Sequence, residues 1–258
     1  MTRRLMAGTG WKMNMTVAET NAYADALLQR IDGKDSAAVD IFVLPPFTSL
    51  HAASAAFVGT QVGFGGQNMH WEEEGAWTGE ISARMLVEAG CKYVALAHSE
   101  RLEHFGESYE RVRLKINTAL RHGLTPILCL GENAEEKIQG RTESVLTRQL
   151  ETALADVSAT DVPGIVLAYE PRWAIGAKDA ASPAYVADQH HLLRSLLRER
   201  FGEQAADATR IVYGGSVTPS NGHELIAIPD VDGLFVGRAA WSPDGLAEII
   251  NIVAEAAN

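Results

Sequence analysis

Apolar residues along this chain gather in short runs, separated by longer amphipathic stretches. Eight runs read as strands: 4–8, 40–45, 61–66, 92–97, 125–130, 164–169, 210–215 and 232–237. Several, such as KYVALA and GIVLAY, are apolar nearly throughout, as strands buried on both faces of a parallel sheet are. The stretches between them carry helix signals. Residues 16–31 open on Thr16 with Glu19 three positions on, a capping box, and their periodicity puts Ala22, Ala26 and Leu27 on one face. Residues 108–123 end in His122 and Gly123, and 182–202 open Ser-Pro and end on Gly202.

Eight strand–helix units in 258 residues predict an α/β chain folded as a single (β/α)8 barrel, one domain spanning 1–258. No Pro/Gly/Ser-rich linker interrupts the pattern. An open doubly wound sheet is the competing fold. It usually shows a G-x-G-x-x-G turn after its first strand, and GTGWKMN (8–14) is not that motif.

Composition narrows the partners. The formal net charge is −11. So acidic a surface argues against general affinity for nucleic acid or anionic membrane, yet a lysine and backbone N–H groups can still hold one small anion. Cys91 and Cys129 both sit in apolar runs and read as reduced core thiols. With no signal-peptide core or membrane span in view, a cytoplasmic protein is expected.

In a barrel of this kind the site lies at the C-terminal ends of the strands. The residues just past the runs there are polar or glycine: Lys12 and Asn14; Gln67 and Asn68; His98, Ser99 and Glu100; Gly131 and Glu132; Glu170; Gly214, Gly215 and Ser216; Gly237 and Arg238. Taken singly, each has a plainer reading. A lone loop glutamate is usually solvated, a lone histidine is usually a satisfied core residue, and a lone lysine snorkels. Clustering at one end, strand after strand, is not what scattered surface residues produce.

The motifs WKMN (11–14), QNMHWEEEGAWTGEIS (67–82), HSER (98–101), FGES (105–108), AYEPRWAIG (168–176), YGGSV (213–217) and DGLFVGR (232–238) resemble the triosephosphate isomerase family, in order and across nearly the whole chain. The resemblance implies a TIM barrel and a sugar-phosphate isomerase working through an enediol. Glu170 would take a proton from the carbon beside a carbonyl, a neutral His98 would polarise the carbonyl, and Lys12, shielded by Trp11 and Met13, would stabilise negative charge. Gly10, Lys12, Gly176, Ser216, Gly237 and Arg238 would hold the substrate, with a helix starting after 238 offering its N-terminus. Glu100, Cys129 and Tyr213 would stand behind them, Glu100 pairing with Lys12 and Cys129 packing beneath the site. PRWAIGAKDA (171–180) would be a lid that excludes water, with Tyr213 and Ser216 as closed-state partners. Neither a metal nor an organic cofactor is implied. Segment 71–80, with Trp71 and Trp77, would reach into a second copy and make a homodimer.

The chain also departs from the family pattern. Gly10 replaces an asparagine that reaches the substrate, Leu102 an arginine, Arg172 an apolar residue, Lys178 a glycine, Asp179 a lysine and Arg238 a glycine. GTGWKMN with GRAAW (237–241) resembles a branch acting on tetrulose phosphates such as L-erythrulose 1-phosphate, where Gly10 would make room for one more hydroxymethyl group. The triose substrate is the alternative within the family. A non-catalytic sugar-phosphate-binding barrel and a phosphate-binding synthase or aldolase are alternatives outside it.

Overall fold

The structure, a computed structural model, describes residues 3–31, 38–176 and 180–257. The strands are β1 (Met6–Gly10), β2 (Asp40–Leu44), β3 (Val62–Gly66), β4 (Tyr93–Leu96), β5 (Thr125–Leu130), β6 (Val166–Tyr169), β7 (Arg210–Tyr213) and β8 (Gly233–Val236). Each pairs in parallel with its neighbour, and β1 pairs with β8, so the sheet closes as a barrel in sequence order. Helices pack outside it. Those used below are α1 (Val17–Ile31), α4 (Ser99–His104), α5 (Tyr109–Arg121), α8 (Pro183–Phe201) and α11 (Pro243–Ala256).

The helix signals act where expected. Glu19 N–H points to the Thr16 hydroxyl and Thr16 N–H to the Glu19 carboxylate, closing the capping box. Ser108 and Ser182 cap α5 and α8. The buried face of α1 differs from the expected one. Tyr23, Ala24, Leu27 and Ile31 are buried, Ala26 is half-buried and Ala22 is exposed. Large side chains at 23, 27 and 31 set the inward direction, and Ala22 lies outside their stripe.

Strand β1 runs two residues further than RLMAG suggests, to Gly10. Alternate residues face the barrel interior. There Met6, Phe42, Leu44, Tyr93, Ile127, Val166 and Phe235 form a core distinct from the larger one between barrel and helices. Gly8 faces this interior, where a Cβ would overlap the Phe42 ring. The glycine is a packing requirement of the strand, not a turn.

Candidate active site

At the C-terminal mouth of the barrel lies a cavity of about 650 Å³, a size that takes a small ligand. Gly10, Lys12, His98, Glu100 and Glu170 line one part, and Gly176, Ser216, Gly237 and Arg238 another. Cys129 and Tyr213 do not line it. Cys129 lies behind Glu170 with burial pushing its thiol well up, and Tyr213 is fully buried with its hydroxyl against Gly215.

Lys12 comes just after β1 with a φ of +54°, a backbone region L-residues seldom adopt outside constrained sites. It is held there from two sides. Gln67 Nε2 donates to the Lys12 carbonyl at 3.0 Å, and Lys12 Nζ donates to Glu100 Oε1 at 2.7 Å. Burial would raise the Glu100 carboxyl, but the hydrogen bond and charge of Lys12 outweigh it and leave it below its ordinary value. Trp11 is buried beneath, whereas Met13 is 96% exposed and does not shield the lysine in this chain. With Lys12 left-handed, the neighbouring side chains diverge and Met13 points outward.

His98 caps α4, and its Nδ1 accepts the Glu100 N–H at 3.3 Å. A nitrogen that accepts carries no proton, so the ring is the neutral tautomer with its proton on Nε2, facing the cavity. Nε2 lies 3.9 Å from Glu170 Oε2. Glu170, just past β6, is only 4% exposed, and its Oε2 has no hydrogen-bond partner among the described residues. Burial raises its carboxyl above the ordinary value, against the pull of His98, Lys12 and a hydrogen bond with Cys129. Gly214 makes the position possible: a Cβ there would stand 2.7 Å from Glu170 Cγ. The site therefore pairs a desolvated carboxylate, suited to accept a proton, with a neutral N–H donor and a fixed cation.

On the far side, Gly176 has φ +68°, and among the described residues no atom beyond the chain neighbours comes within 4 Å of where a Cβ of Gly176 or Gly237 would stand. Backbone at both positions is open to the cavity. The helix expected after 238 does not start at once. A three-residue 3₁₀ turn, Arg238–Ala240, comes first, and α11 begins at Pro243 behind its Ser242 cap. Proline at 243 fixes the first helical position and sets the start there.

Segment 171–176 is anchored at its root. Glu132, fully buried, accepts from Trp173 Nε1 at 2.6 Å, from Tyr185 OH at 2.7 Å and from Tyr169 OH at 3.1 Å. Lys137 Nζ sits 3.2 Å above the Trp173 ring. Leu102 and Arg172 share a narrow cleft behind Glu170, and Lys178 and Asp179 lie outside the described residues. Among the described residues no group of His, Cys, Asp and Glu could hold a metal ion, and no helix is long and apolar enough to cross a membrane.

Two residues missed in the sequence also shape the cavity. Trp241 Nε1 donates to the Gly10 carbonyl at 3.1 Å, and Phe235 lines the floor. Trp241 had a signal in GRAAW, an aromatic soon after the glycine that follows β8. Phe235 had none, because an apolar residue in a strand reads as core.

The family model for triosephosphate isomerase matches residues 5–253. A triosephosphate isomerase from Solibacter usitatus is 44% identical, over 97% of this chain and 100% of that protein. An L-erythrulose-1-phosphate isomerase from Rhizobium etli is also 44% identical, over 96% and 92%. The crystal structure of triosephosphate isomerase from Bartonella henselae superposes with a TM-score of 0.87 at 36% identity, covering 96% of this chain and 98% of that one. A closed eight-stranded barrel with this constellation at its mouth, matched over nearly its whole length, belongs to the triosephosphate isomerase family of sugar-phosphate isomerases.

Proposed function

We propose that this isomerase moves the carbonyl of L-erythrulose 1-phosphate one carbon along the chain. The observation that carries the reading is Gly10. It lines the cavity beside Lys12, where the family pattern has an asparagine, and so leaves space next to the reacting carbons. The relatives named L-erythrulose-1-phosphate isomerase support it, and the equally similar triosephosphate isomerase keeps the triose as the second reading.

Glu170 removes the proton from the carbon beside the carbonyl. The electron pair moves into an enediolate, which Lys12 stabilises, while the His98 Nε2–H gives its proton to the former carbonyl oxygen and takes one back from the neighbouring hydroxyl. Glu170 returns the proton to the neighbouring carbon, so the reaction is redox-neutral overall and needs no co-reactant. The phosphate rests on the backbone at Gly176, Ser216, Gly237 and Arg238. The lid expected over 171–180, of which 177–179 lie outside the described residues, would exclude water and protect the enediolate from losing phosphate.

The protein works as a homodimer. Segment 71–80 is ordered by His70, which stacks on Trp71 at 4.0 Å and meets Trp77 at 4.3 Å, yet Trp77 remains 46% exposed. Exposed Met13, Met85 and Phe105 add apolar surface that a second copy would cover. Sedimentation as a monomer at micromolar concentration would overturn this. Two free buried thiols suit the reducing cytoplasm.

Purified protein should give the higher kcat/KM on L-erythrulose 1-phosphate when assayed beside glyceraldehyde 3-phosphate. Efficient turnover of the triose with none of the tetrulose would reject the substrate assignment.

A further inference from the structure

The room at Gly10 is bounded by an aromatic wall. A Cβ at position 10 would meet only the Phe235 ring, at 3.5 Å from two of its carbons. That is ordinary van der Waals contact, so the ring edge marks the limit of the space the glycine leaves. Phe235 is itself held: its ring packs on Phe42, centroids 5.3 Å apart at 53°. Phe42 occupies the space over Gly8, where a Cβ would overlap it. From above, the Trp241 indole fixes the Gly10 carbonyl. The two inward glycines of β1 thus each face an aromatic side chain of a neighbouring strand.

We propose that Phe235 is the residue that sets sugar length at this site, acting with Gly10 as one size gate: the terminal hydroxymethyl of a four-carbon substrate packs at the cavity edge of the ring, in the volume that a side chain longer than a methyl at position 10 would enter. The inference rests on the tetrulose reading above and adds what that reading lacks, the wall opposite the glycine. A larger side chain at 10 and the ring at 235 compete for one volume, so changes at the two positions are coupled.

The test is a cycle of wild type, Phe235→Leu, Gly10→Ala and the double variant. Each is assayed on L-erythrulose 1-phosphate and dihydroxyacetone phosphate, with thermal melts to confirm folding. Phe235→Leu should lower the tetrulose-to-triose ratio of kcat/KM about tenfold, the order of discrimination one apolar contact supplies. Gly10→Ala should lower it too, and the double variant should lose less than the product of the singles. Equal effects of Phe235→Leu on both substrates, or strictly multiplicative singles, would overturn the gate. If Phe235→Leu fails to fold, Phe235→Met serves in its place. If wild type turns over only the triose, the tetrulose reading fails by itself. The gate then stands if the triose kcat/KM lost in Gly10→Ala is restored by adding Phe235→Leu, and falls if it is not.

Discussion

Both ends of the barrel bury charge, and they treat it in opposite ways. At the floor, Arg194 is 1% exposed and every side of it is matched. Its Nε donates to Asp230 Oδ1 at 3.0 Å, one terminal nitrogen to Asp232 Oδ2 at 2.7 Å, and the other to the carbonyls of Ala206 and Thr209. Asp232 also accepts from Arg3 and from the Ile211 N–H. At the mouth, Glu170 is nearly as buried but keeps an unpartnered oxygen, the His98 ring nitrogen stands 3.9 Å from it, and Lys12 beside it sits on a left-handed backbone. Charges at the floor are satisfied and hold the fold. Charges at the mouth are left partly unsatisfied, a cost to stability that a reacting substrate can exploit.

Substitutions at the two ends should therefore have opposite outcomes. The largest effect is expected from Glu170→Gln. It should lower kcat about a hundredfold to ten-thousandfold, the range of a lost general base, while the melting temperature holds or rises. A fall in melting temperature with activity retained would place Glu170 with the floor residues instead. Arg194→Leu should do the reverse. Stranding Asp230 and Asp232 should cost about 3–5 kcal/mol in chemical denaturation, with kcat of the folded fraction little changed.

Between the extremes lies the Glu132 anchor, which is satisfied like the floor but holds the root of segment 171–176. Tyr185→Phe removes one donor to a buried carboxylate and should cost about 1.5–3 kcal/mol in stability. If it also changes kcat, the anchor belongs functionally to the mouth.

The subtlest expectation is a pH dependence. Glu170 has a folded pKa above its unfolded one, so the folded state holds the extra proton. Its contribution to stability is therefore present below the ordinary carboxylate value and is lost as pH rises through the folded value. Activity takes the other sign, since the base must be ionised. The acid limb of kcat/KM should lie above the ordinary value of 4.5, and Glu170→Gln should abolish the slope in stability.

Much of this is legible in the residues, and the gaps have physical causes. Alternating apolar runs and helix caps point to the barrel because both reflect local geometry. The run TPILCL matches β5 at both ends. RLMAG misplaces β1 because glycine reads as punctuation, whereas Gly8 and Gly10 are inward strand residues, the first emptied for Phe42 and the second facing Phe235. Those rings come from β2 and β8, and no window of sequence around β1 contains them. Met13 goes astray because the left-handed turn at Lys12 depends on Gln67 and Glu100, contributed by distant chain.

Local sequence is enough to set the period of the elements, their caps, and which polar groups stand at strand ends, because each depends on neighbours within a turn or two of chain. It took the closed barrel to fix which of those groups are desolvated, that His98 Nε2 faces Glu170, and that Gly10 faces a ring. These depend on distances between segments up to 231 positions apart, which barrel closure alone brings together.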